Sequence, residues 1–151
     1  MEALAAAIEA SQLGQWARGS ALAYPVANTL HLLGLVLLLG AIGLLDLRLA
    51  GAWRKLPLPP LAATLTPLAV LGFLLLLATG AILFAADARA LVRNPVFLWK
   101  VGLVGLALLN AAVFRLLWKG GEAPAALGFL ALVSLGLWLA VGALGRWIAY
   151  V

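Results

Sequence analysis

The sequence predicts an all-α membrane protein, an up-down bundle of four transmembrane helices with a short N-terminal interfacial helix. Three observations predict it. Of 151 residues, 66% are hydrophobic and only 10% are charged, whereas a soluble domain carries about a quarter charged residues. Four long apolar runs recur, each near the roughly 20 residues that cross a bilayer. The ten Lys and Arg and most of the Trp residues stand at the ends of those runs, where topology signals and aromatic belts form.

The whole chain reads as one membrane domain, with an interfacial segment at 2–18 and spans at about 21–46, 61–86, 95–117 and 124–148. Residues 2–18 are Ala-rich and helical in pattern, with a break near Ser11 to Gly14. Leu4, Ile8, Leu13 and Trp16 spread over half the helical wheel, a weak apolar face that favours a helix lying in the interface over a loose tail. Glu2 and Glu9 precede the first basic residue, Arg18, so the basic n-region of a cleavable signal peptide is missing. Insertion then rests on the first span.

That span runs uncharged from Gly19 and is expected to stop at Asp46-Leu47-Arg48. The link from Gly51 to Pro60 holds Arg54, Lys55 and three prolines, which forbid a continuous helix. A second uncharged run ends at Asp87. Pro95, a good first-turn residue, opens the third span, and Gly120-Gly121 signals the turn before the fourth, bounded by Glu122 and Arg146. Short links make successive helices antiparallel neighbours. Basic residues divide five against five between the two faces; discounting Lys100 and Arg146, which lie partly inside spans, tips the balance toward both termini outside.

Composition excludes several functions. Cysteine is absent and the sole methionine is Met1, so there is no disulfide framework, no thiolate and no soft ligand set for Cu(I); neither a copper nor a zinc site is expected. The net charge of +5 is scattered rather than gathered in a stripe, which argues against nucleic acid. No phosphate-binding glycine motif follows a strand, which disfavours a nucleotide-dependent enzyme.

His31 is the only histidine and lies inside the first span. Tyr24, Asn28 and His31 are spaced four and three apart, with Gly34 three further, so they share one helix face. Polar groups in a span usually face the bundle, which predicts a polar pocket in the half of the membrane nearer the N-terminus. Two readings are open for His31: an axial ligand to haem iron or a proton or quinone contact, with Gly34 leaving room for a flat macrocycle, or a histidine hydrogen-bonded to a neighbouring helix. Lys100, at the same side, either binds an anion such as a haem propionate or snorkels to the headgroups. Asp87 and Arg89 either pair with Lys100 or cap the link. Asp46 and Arg48, two apart, do not face each other and read as anchors of the first link. Asn110 and Ser134 read as interhelical glue, and Ser134, Trp138, Gly142 and Gly145 share a face suited to a close helix contact, possible in a homodimer.

Glu9-Ala-Ser11, Gly14, Arg18-Gly-Ser20, Tyr24-Pro25, His31-Leu-Leu-Gly34, Asp46-Leu-Arg48-Leu and Gly51 together resemble a family of small bacterial four-helix membrane proteins of unknown function. Phe84-Ala-Ala-Asp87, Asn94-Pro95-Val-Phe97, Lys100 and Leu109-Asn110 fit the same family. The family often has Glu at the position of Asn28, and sometimes His near Asp87 or Arg115; this chain lacks those groups. More loosely, a histidine in the first span and a Phe-x-x-Lys entry to a later one resemble the copper-resistance CopD membrane domain and cytochrome-b-like bundles.

The leading expectation is therefore a haem-b-binding protein of the bacterial cytoplasmic (inner) membrane that passes electrons with a quinone or another redox partner. Cofactor contacts would come from His31, Asn28, Tyr24, Gly34 and Lys100, with His31 the iron ligand. One chain cannot supply two histidine ligands, which leaves a single-histidine haem or one shared across a twofold axis. The alternatives are a non-catalytic subunit or scaffold that binds a partner through its helices and, third, a small transporter.

Overall fold

A computed structural model describes residues 1–121 and 124–150. Glu122, expected to bound the fourth span, lies outside the described residues. The described chain is helical: α1 (Glu2–Ala10), α2 (Gln12–Gly19), α3 (Ala23–Leu49), α4 (Leu58–Ala86), α5 (Ala88–Arg93), α6 (Pro95–Leu117) and α7 (Ala125–Trp147), closed by a 3-10 turn at Ile148–Tyr150. Four helices are long and apolar enough to cross a membrane: α3, α4, α6 and the segment Ala126–Tyr150. They alternate in direction, so both ends of the described chain lie at one face, here the terminal face, together with α1, α2 and α5. The α3–α4 and α6–α7 links lie at the opposite face.

Each boundary has a local cause. Ser11 breaks the N-terminal segment in two, and its hydroxyl accepts the Gly14 N–H at 3.3 Å to cap α2. α4 starts inside the proline-rich link rather than after it, because Pro59 and Pro60 fall in the first turn, where a missing N–H removes no helical bond. Asn94 caps α6 by accepting the Val96 and Phe97 N–H groups. The links turn through Gly51, Gly120 and Gly121, all at positive φ, the left-handed region glycine enters freely.

α3 runs three residues past its expected end, which brings Asp46 and Arg48 into its last turn. It packs on α4 on one side and α7 on the other, and α6 packs on α7. The α3–α4 seam is the closest: a Cβ on Gly72 would lie 2.6 Å from the Leu38 amide nitrogen, and one on Gly34 would lie 2.9 Å from the Gly72 carbonyl oxygen. Lipid offers no hydrophobic drive for helices to associate, so such small-residue contact and its dispersion energy do that work. α4 and α6 meet through rings instead, Phe84 stacking on Phe97 at 5.6 Å. The mid-bundle core joins Leu38, Ala41, Ala69, Ala107, Trp138 and Val141, with Phe73 edge-on to Trp138 at 6.2 Å.

Candidate functional site

The flank of α3 that turns toward α7 carries, in helical register, His31, Leu35, Ile42 and Asp46. Leu35 approaches Gly142 of α7, and Ile42 packs on the core. His31 stands one turn before Leu35, half-buried, and also touches α4: its Cε1 would lie 3.3 Å from a Cβ on Gly80. The ring is thus held in an inner corner of the bundle.

One hydrogen-bond chain fixes that ring. The Thr79 hydroxyl donates to the Leu75 carbonyl at 2.6 Å. Its proton is therefore committed, so across the 2.9 Å contact between Thr79 Oγ1 and His31 Nδ1 the imidazole donates. In the neutral ring that places the hydrogen on Nδ1 and the lone pair on Nε2. No hydrogen bond reaches Nε2 among the described residues. An anchored Nδ1–H beside a free Nε2 is the arrangement that orients histidine as a ligand or a proton acceptor. Thr79 is a functional neighbour the sequence reading missed; its signal was a buried polar residue alone in a run of leucine and alanine.

The rest of the expected pocket is rearranged. Gly34 does not leave room for a macrocycle: the backbone of α4 fills that space, as the Gly72 contact shows. Tyr24 and Asn28 do not face inward; both are exposed, because Ala23 and Ala27 carry the packed side of α3 at that level. Lys100 is half-buried, with Nζ 3.3 Å from where a Gly145 Cβ would lie. Arg89 turns away from it. His31 and Lys100 are thus both half-buried, His31 against Gly80 and Lys100 against Gly145, while Asn28 and Tyr24 are exposed.

Arg89 belongs to a clasp. Its backbone N–H and Nε donate to the two Glu9 carboxylate oxygens at 2.8 and 2.7 Å. Arg18 pairs with the same carboxylate at 3.5 Å and donates to the Glu9 and Ala86 carbonyls. Arg93 pairs with Glu2 at 3.0 Å. These donors hold the Glu9 carboxyl below the usual carboxylate range, first through the Arg89 N–H, and Arg93 does the same for Glu2. Gly14 lets α2 close on α1 and α4, since a Cβ there would meet the Glu9, Ile8 and Ala85 carbonyls at 2.5–2.8 Å. The N-terminal segment is thus a pair of helices fastened to α4 and α5.

A second polar layer sits in the other half of the bundle. Arg48 anchors the first link as expected, donating from Nε to the Leu56 carbonyl at 2.8 Å and from Nη2 to the Arg54 carbonyl at 3.2 Å. Asp46 departs from expectation. The extra turn of α3 buries it, and its carboxyl faces Ser134 of α7. Asn110 donates to the Leu130 carbonyl at 3.1 Å, gluing α6 to α7. Ser134, Trp138, Gly142 and Gly145 meet Asp46, Phe73, Leu35 and Lys100 within the chain. Among the described residues no three His, Cys, Asp or Glu gather as a metal site.

Fold and site together define a multi-pass helical membrane protein with one anchored intramembrane histidine. The chain belongs to a family of unknown function, DUF6644, whose model matches residues 6–151. No curated protein and no solved structure matches it.

Proposed function

We propose that this protein binds haem b through Nε2 of His31 in the bacterial cytoplasmic membrane and exchanges electrons with a lipid-soluble quinone. The observation that carries the reading is the His31–Thr79–Leu75 chain, which engages Nδ1 and leaves Nε2 as the nitrogen available to a ligand. A single-histidine haem needs one such nitrogen, and Nε2 of His31 could supply it without giving up the Thr79 hydrogen bond. The space at Gly34 is filled by α4, so that glycine would not hold the group; His31 would supply its ligand. The Lys100 ammonium makes no ion pair among the described residues and suits a propionate. When bound, haem supplies one-electron chemistry; the chain supplies its ligand, that ligand's orientation and an apolar surround. The loose resemblance to CopD and cytochrome-b-like bundles fits this reading, although no cysteine and no methionine beyond Met1 is available for copper.

The test is an oxidised and reduced absorption spectrum of protein expressed with ample haem and purified in mild detergent. A Soret band is expected in wild type, lost in His31→Ala and shifted or weakened in Thr79→Val, which keeps the ligand but removes its anchor. A wild type without a Soret band overturns the reading, as does a folded His31→Ala that keeps the band.

A second reading, a non-catalytic subunit docking a partner through its helices, is favoured by α6. Its buried residues are Ala107 and Asn110 alone, and Gly102 and Gly105 face outward with nothing within 4 Å. A colourless protein that co-purifies with one stoichiometric membrane partner would support it.

A further inference from the structure

Asp46 is 6% exposed, and its Oδ2 has no hydrogen-bond partner among the described residues; the carboxyl meets Ser134 of α7. A buried carboxyl so placed is costly unless a partner or a proton completes it. Among the described residues, the surrounding elements bring few charged groups to this layer. Arg48, on its own helix, directs its guanidinium to the Leu56 and Arg54 carbonyls. α4 contains no charged residue; Arg146 of α7 and Lys100 of α6 belong to the terminal face; Arg115 of α6 and Arg54 and Lys55 of the link are exposed. Ser134 and Asn110 are the polar groups α7 and α6 place in this layer, and neither titrates.

We propose that Asp46 is a proton-exchange site: Oδ2 takes a proton from water at the opposite face and returns it there. Uptake forms one O–H bond and takes the carboxyl from −1 to neutral; release breaks that bond, and no electron moves. Access is short, since Asp46 lies three residues, about 4.5 Å of helix rise, from the end of α3. The proton also governs packing. A neutral carboxyl lets α3 and α7 stay closed where a Cβ on Gly128 would lie 3.0 Å from the Leu49 carbonyl. The ionised form puts a negative charge into that seam and loosens it. This inference is independent of haem.

The chain has two aspartates, Asp46 and the exposed Asp87, so carbon-13 aspartate labelling isolates the site. In the full chain carrying Asp87→Asn, infrared spectra across a pH series should show one labelled carboxyl band. That band should move reversibly between protonated and ionised positions and respond to D2O. Ser134→Ala should shift the protonated band, and Asp46→Asn, where it folds, should abolish it. A band that stays ionised throughout, or stays protonated throughout, overturns the proposal, and neither result depends on whether Asp46→Asn folds.

Discussion

Glu9 and Asp46 are both carboxylates removed from water by the fold, and their surroundings are opposite. Glu9 receives a backbone N–H, a guanidinium nitrogen and a second arginine. Asp46 receives one hydroxyl and keeps an oxygen without a partner. The difference follows depth. At the terminal face, three arginines come from α2 and α5, outside the spans, where long side chains reach both headgroups and one another. Inside the bundle the helices meet through glycine, alanine and single hydroxyls, and among the described residues Asp46 forms no ion pair. Charge fastens the clasp; close backbone contact fastens the bundle.

The largest effect should come from breaking the second kind of fastening. Gly72→Val places a branched side chain on the Leu38 backbone and the Gly34 carbonyl, where neither partner is the movable end of a side chain. α3 and α4 must part, at about 3 kcal/mol, and His31 should lose Thr79 as the seam opens. Thermal unfolding in detergent measures the loss. A variant that melts with wild type would show that the Gly34–Gly72 contact does not hold the seam.

Acid should open the clasp and leave the bundle intact. The folded-state carboxyl of Glu9 lies below its ordinary value of 4.5. Its stabilising contribution is therefore fully present above the ordinary range and is lost as pH falls through the depressed folded value. Hydrogen exchange in residues 2–18 should rise with acidification in wild type and be raised and flat in Glu9→Gln, while exchange in α3 and α4 barely changes. Equal protection of 2–18 at low pH would remove Glu9 from the account. High salt should act in the same direction, because Arg18 and Arg89 are partly exposed.

Much of the bundle was legible in the sequence. Lipid demands runs of fixed length and apolarity, so the four spans, the break at Ser11 and the glycine turn at 120–121 all followed from local pattern. What escaped depended on partners distant in sequence. Thr79 lies 48 residues from His31, and Arg89 lies 80 from Glu9. Asp46 was misplaced because a charged residue at the end of an apolar run usually ends the span; one further turn of α3 carried it inside instead. Gly34 illustrates the same limit, since a missing side chain marks a close approach without saying whether a ligand or another helix makes it.

The smallest effect tests whether neutral polar groups in the interior behave differently from Asp46. Asn110 is buried, and its amide donates across α6–α7 to the Leu130 carbonyl. That carbonyl sits inside α7, where the Ser134 N–H, four residues on, already supplies its helical bond. Removing the amide orphans no acceptor, and Asn110→Leu also removes a polar group from an apolar layer. The expected cost is about 0.6 kcal/mol, the usual size of an interhelical hydrogen bond in a membrane. The haem reading predicts no change in any Soret band, because Asn110 lies in the half of the bundle away from His31. Denaturant titration of the two proteins in the same detergent measures the difference. A loss above about 2 kcal/mol would mean that Asn110 supports the Asp46–Ser134 pair through Leu130, and the two polar groups would then have to be treated as one network.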